Sequence, residues 1–143
     1  MPVRWAVDHA TRTVLGKGED ILSLADVQHY LEGIGQAATL SYSKLINLSQ
    51  CSLSLSPQDL ESLGRQANTL GLPTAMGPAA IVVGSDETYR QMRFFESLTS
   101  ARRSLRIFRD HEAASRWLFA QPIQPLSFLD RDGGVATPLA PPR

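Results

Sequence analysis

Lys44-Leu45-Ile46-Asn47-Leu48, then Ser49 to Leu55, then Ser56-Pro57-Gln58-Asp59: this passage decides how the chain folds. The first five residues read as a short apolar strand and the next seven as a polar loop. The last four open an amphipathic helix, with a capping serine, a proline at the first helical position and an acid three residues after the cap. Strand, loop and helix start make half of a βαβ unit. In open α/β sheets, ligands and partners meet the chain at this carboxyl end of the strands.

Upstream, Val3, Trp5 and Val7 alternate with Arg4, Ala6 and Asp8, the period of a half-buried strand. Asp8 to Thr11 reads as a tight turn. The next strand starts at Thr11 and is expected to stop at Gly16-Lys17-Gly18, which gives an N-terminal hairpin. Ser23 caps a helix with Asp26 three residues on. Leu24, Val27, Leu31, Ile34 and Ala38 fall on one of its faces. Gly33 and Gly35 weaken it by about 1 kcal/mol each relative to alanine, which points to close packing or an early end.

Downstream, Leu60, Leu63, Ala67 and Leu70 form the stripe of the second helix, which Gly71 and Pro73 end. Ala79 to Val83 is apolar at every position, as suits a strand covered on both faces. Ser85 caps a third helix, with Asp86 and Glu87 at the positive end of its dipole. Tyr89, Met92, Phe95 and Leu98 face inward there, and Phe94 points about 100° away from Phe95. Leu105 to Phe108 is a last strand. Asp110 caps a last helix with Ala113, Ala114, Trp117 and Leu118 inward. From Pro122 the chain is rich in proline and glycine and reads as an arm, residues 122–143. Ile123, Leu126, Phe128 and Leu129 can anchor it on the same subunit or a neighbour.

The resulting order, β-β-α-β-α-β-α-β-α, is an α/β domain with a mixed five-stranded sheet and about four helices over residues 1–121. It resembles the SpoIIAA-like (STAS) fold of bacterial anti-sigma factor antagonists and related domains. The passages that carry the resemblance are Lys44–Leu48, the Ser49–Leu55 loop, the Ser56-Pro57-Gln58-Asp59 helix start, Ala79–Gly84, and Leu105–Phe108 with its final helix. In the antagonists a phosphorylated serine sits at the start of the second helix, within an Asp-Ser-Ser-Gly-Leu-like motif. In that register Leu55 takes the acidic position, Ser56 the first serine, Pro57 the modified serine and Gln58 the glycine. Proline cannot be phosphorylated, so a switch here would have to use Ser56 or Ser54. The resemblance implies a partner-binding scaffold, like those SpoIIAA-like domains that have no assigned activity.

Composition narrows the function classes. Lys+Arg and Asp+Glu are equal at 14 each, so no global field draws the chain to nucleic acid or an anionic membrane. No apolar run approaches the roughly 20 residues that span a bilayer, and the N-terminus has no apolar signal core. The single cysteine, Cys51, rules out an internal disulfide and fits a reducing cytoplasm. His9, His29 and His111 lack metal-ligand spacing, and neither a nucleophile elbow nor a phosphate-binding loop is present. Asp130-Arg131-Asp132-Gly133-Gly134 lacks the closing glutamate of a calcium loop. The arginines 90, 93, 102, 103, 106 and 109 are offset by Glu87, Glu96, Asp110 and Glu112, as on a salt-bridged face.

The expectation is therefore a cytoplasmic, non-enzymatic protein-interaction or regulatory domain with no catalytic set, metal or cofactor. Its surface comprises Ser49, Cys51, Ser52, Ser54, Ser56, Asp59 and Phe94. Short polar side chains and free amide donors at the helix start would meet a protein partner there, and a homodimer is compatible with this reading. The alternative is a small-molecule or lipid-binding module, with Trp5, Tyr30, Tyr89, Phe95 and Trp117 around a pocket of several hundred Å3.

Overall fold

The computed structural model of the chain describes residues 3–36, 39, 41–70, 77–99 and 104–121. The strands are β1 (Val3–Asp8), β2 (Thr13–Leu22), β3 (Ser43–Leu53), β4 (Ala79–Val83) and β5 (Leu105–Phe108). The helices are α1 (Leu24–Gln36), α2 (Pro57–Leu70), α3 (Asp86–Thr99) and α4 (His111–Phe119). Ala38 and residues 71–76, 102, 103 and 122–143 lie outside the described residues. The five strands form one sheet in sequence order, with β1 antiparallel to β2 and the other pairs parallel.

That order dictates the layering. Each crossover steps the same way across the sheet, so right-handed connections put α1, α2 and α3 on one face. α4 follows the last strand and packs on the other face, against β3, β4 and β5. Two cores result. Val14, Leu48, Ile81 and Val83 meet Leu31, Ile34, Leu60, Leu63, Met92 and Phe95 beneath α1–α3. Leu45, Ala80 and Val82 meet Ala114 and Leu118 beneath α4, with Phe108 and Trp117 alongside. β4 has apolar neighbours on both sides and is buried at all five positions.

The helix starts follow the capping pattern. Asp26 accepts from the Ser23 amide (2.9 Å), while Ser23 Oγ accepts from the Asp26 amide (3.3 Å). Ser85 Oγ accepts from the Thr88 amide (3.1 Å), and Asp110 accepts from that of Ala113 (2.9 Å). In the hairpin turn, Asp8 Oδ1 accepts from the amides of Ala10 and Thr11 (3.0 and 3.3 Å). The Thr11 contacts hold the Asp8 carboxyl below its ordinary 3.8. Gly33 allows α1 to settle onto Trp5: a Cβ there would press on the indole, 2.9 Å from Cη2.

Two strand ends differ from the expectation, and for one reason. β2 does not stop at Gly18 but runs to Leu22, and the expected Ser49–Leu55 loop is strand as far as Leu53. The two extensions pair with each other, Glu19↔Gln50 through Leu22↔Leu53. The register slips by one residue between Lys17 and Glu19, so β3 carries an extra residue opposite Gly18. Asp20, just past the slip, sits at φ 62°, a left-handed conformation that aspartate tolerates better than most residues.

Candidate interaction surface

The bulge decides where the candidate residues point. Before it, Lys44, Ile46 and Leu48 turn toward α1–α3 and Leu45 toward α4. After it the parity reverses. Cys51 and Leu53 now join the core, while Gln50, Ser52 and Ser54 are exposed. Ser52, Ser54 and the exposed Ser56 therefore follow one another along the carboxyl edge of the sheet.

Ser49 and Cys51 do not belong to that exposed row. Ser49 is bound back to Asn47, whose Oδ1 accepts from its amide (3.0 Å) and its hydroxyl (2.6 Å). Gly84 lies close against the Ser49 carbonyl, and a Cβ there would fall 3.1 Å from the carbonyl carbon. Cys51 Sγ donates to the Leu48 carbonyl (3.5 Å). Burial pushes its thiol from 9.0 up to about 11. At neutral pH Cys51 is thus a thiol and a poor nucleophile. Maleimide should label it more slowly at pH 8 in the native protein than in urea, and faster as pH rises toward about 11. Equal rates in native and unfolded protein would show the sulfur to be accessible.

The start of α2 is a closed capping box. The Asp59 carboxylate accepts from the Ser56 amide (3.0 Å), and Ser56 Oγ accepts from the Asp59 amide (3.0 Å). The Leu60 amide is already bonded to the Ser56 carbonyl, and Pro57 has no N–H. The expected cluster of free donors is reduced by these contacts to the Gln58 amide. Phosphate on Ser56 would have to break the box and face the Asp59 carboxylate. Ser54 is exposed, and its backbone is held by a bond from its amide to the Leu22 carbonyl (2.8 Å).

Helix α3 fastens the junction from the side. Gln91 Nε2 donates to the carbonyls of Leu53 (3.3 Å) and Leu55 (3.4 Å). Phe94, three residues later on the same side of the helix, is 37% exposed. Two arginines nearby are engaged. Arg93 pairs with Glu96 and donates to the Tyr89 hydroxyl, and Arg109 pairs with Asp86 at 2.9 Å.

The residue missed from sequence is Ile21. It pairs in register with Ser52 and is 62% exposed. The signal was present: in Ile21-Leu22 one side chain must turn in and the other out. Leu22 is the buried one, at 2%.

Beneath α1–α3 lies an apolar cavity of about 90 Å3, lined among others by Tyr30, Ile46, Leu63, Met92 and Phe95. Lys44 also lines it, 1% exposed, with Nζ donating to the Tyr42 carbonyl at 2.7 Å. Of the five large side chains expected around a pocket, Tyr30 and Phe95 are there; Trp5 packs edge-on against His29 and Tyr30, Tyr89 lies beneath the guanidinium groups of Arg93 and Arg109, and Trp117 packs against the core under α4. Among the described residues, no three of His, Cys, Asp and Glu are grouped to hold a metal ion. No described helix is long and apolar enough to cross a membrane.

No family model and no curated protein matches the chain. Solved structures do. An uncharacterised DUF3478-family protein with a SpoIIAA-like fold, from Shewanella loihica PV-4, matches with a TM-score of 0.53 and 17% identity over 81% of this chain and 93% of its own. The unphosphorylated anti-sigma factor antagonist SpoIIAA gives 0.49 and 11% identity over 80% of this chain and 96% of its own. With the strand order, the three helices on one face and the capped α2 already established, the likeness to the Shewanella protein identifies the chain as a domain of SpoIIAA-like fold.

Proposed function

We propose that this domain is a non-enzymatic protein-interaction or regulatory module that binds its partner through the carboxyl edge of β2 and β3 and the start of α2. The observation that carries the reading is Ile21, a large aliphatic side chain 62% exposed beside Ser52. Ser54 and Ser56 continue from it, and Phe94 flanks the same junction on α3. An apolar anchor ringed by short hydroxyls on rigid strands suits a protein contact better than a small polar ligand. Pro57 stands where the antagonists carry their phosphoserine, so any phosphate control would act through Ser54, the exposed hydroxyl outside the capping box.

A small-molecule or lipid module is the second reading, favoured by Lys44 against an otherwise apolar cavity. At about 90 Å3 that space is well short of the roughly 300 Å3 at which ligand pockets begin. A lipid would require α1–α3 to move off the sheet.

The test is a comparative pull-down from the source cells with the full chain, its Ile21→Asp variant and a Lys17→Ala control. Partners held by the wild type and the control should be lost with Ile21→Asp at an unchanged melting temperature. An identical set of partners from all three proteins would overturn the reading.

A further inference from the structure

β1 and β5 are the edge strands of the sheet, and the two edges are built differently. β5 has four residues, with Arg106 within it and Arg109 just after it, so a second strand of the same kind would meet charge of its own sign. β1 has six residues, and its exposed face carries Arg4, Ala6 and Asp8 in turn. Those two charges are opposite in sign and stand symmetrically about Ala6.

The outer side of β1 offers backbone groups. The Ser43 amide donates to the Arg12 carbonyl (3.0 Å), so that carbonyl points to β3. Across a trans peptide the Thr13 amide then points the other way, to β1. Leu15 and Lys17 follow by alternation, and their register partners Ala6 and Arg4, with Asp8 opposite Thr13, bond back to β2. The amides and carbonyls of Trp5 and Val7 therefore point off the edge, where no described strand meets them.

We propose that β1 pairs antiparallel with β1 of a second copy of the chain, about a two-fold axis at Ala6, joining two five-stranded sheets into one. In this register Trp5 exchanges both backbone bonds with the partner's Val7, and Val7 with the partner's Trp5, about four hydrogen bonds in all. Arg4 lies opposite the partner's Asp8, and Asp8 opposite the partner's Arg4, at the closer, non-hydrogen-bonded positions. Ala6, the smallest side chain of the strand, meets its own copy on the axis. Sliding the partner to the next register either way sets Arg4 or Asp8 against Ala6 and breaks both ion pairs. The amides of Ala10 and Thr11 already fix the Asp8 carboxylate in place, and Arg4 keeps donors beyond the Nη2 that serves Glu19. Ile21 lies past the last β1–β2 pair, Val3↔Gly18, so this contact is separate from the surface around Ile21.

The test uses the full-length chain. Sedimentation should give twice the 15.7 kDa chain mass for the wild type, falling to the chain mass on dilution. Ala6→Lys, at an exposed position, sets two lysines face to face on the axis and should weaken the dimer at least about tenfold, with the far-UV spectrum unchanged. In a Cys51→Ala background, Ala6→Cys should form a disulfide-linked dimer on mild oxidation, because Cα atoms across such a pair lie about 4.5 Å apart. Leu15→Cys, the neighbouring exposed position on β2, sits three strand spacings, roughly 14 Å, from its copy and should stay unlinked. Chain mass at every concentration, a dimer untouched by Ala6→Lys, or cross-linking through Leu15→Cys as fast as through Ala6→Cys would each overturn the proposal. The Ile21→Asp pull-down reads a different surface, so the two proposals fail separately.

Discussion

Replacing Leu63 by alanine is expected to lower the stability of the domain by about 2–5 kcal/mol, in the upper half of that range. Leu63 is 1% exposed and faces the sheet from α2, between Met92 and Phe95 of α3 and the strands below. It also lines the cavity of about 90 Å3. Large-to-small changes cost most where the surroundings cannot close on the space left. The facing wall here is a hydrogen-bonded sheet, and α3 is tied to β3 through Gln91. The new void would merge with the existing one rather than collapse. Urea unfolding at unchanged m-value checks this, with the exposed neighbour Glu61→Ala as a control expected within about 0.5 kcal/mol. A loss below about 1 kcal/mol would mean that α2 does not hold the core as described.

The fold was legible because its signals are local and agree with one another. The caps Ser23, Ser56, Ser85 and Asp110 each announce a helix within four residues, and all are in place. The unbroken run Ala79–Val83 can only be a strand covered twice. Parallel order and a single crossover hand then leave few arrangements. The carboxyl ends of β2 and β3 were not legible for the opposite reason. Glu19-Asp20 and Gln50-Cys51-Ser52 are poor strand formers taken singly. Each becomes strand because the other supplies its hydrogen-bond partners, some 30 residues away in sequence.

The candidate surface inherited that error. Without the bulge opposite Gly18, parity along β3 cannot show that Cys51 turns inward and Ser52 outward. Read as a loop, all seven residues looked equally available. The exposed Ile21 was hidden by the expectation that β2 ended before it. The donors at the start of α2 were overcounted for a simpler reason: the residues that mark a capping box are the ones that consume its free amides.

Gly33→Ala should destabilise the domain by about 1–3 kcal/mol, although in an exposed helix the same change would gain about 1 kcal/mol. The reason is Trp5. A methyl group at position 33 would press directly on its indole, and the ring is held edge-on by His29 and Tyr30, each 5.4 Å away between centroids. α1 would have to lift off β1 to make room. The discriminating measurement is a double-mutant cycle. Trp5→Ala alone removes a large half-buried ring and costs several kcal/mol. In that background the obstruction is gone, and only the helix preference of alanine remains. Gly33→Ala should then change sign and stabilise by up to about 1 kcal/mol. If it destabilised equally in both backgrounds, the glycine would be serving the backbone of α1 itself, and the packing of α1 on Trp5 would not be what fixes its place on the sheet.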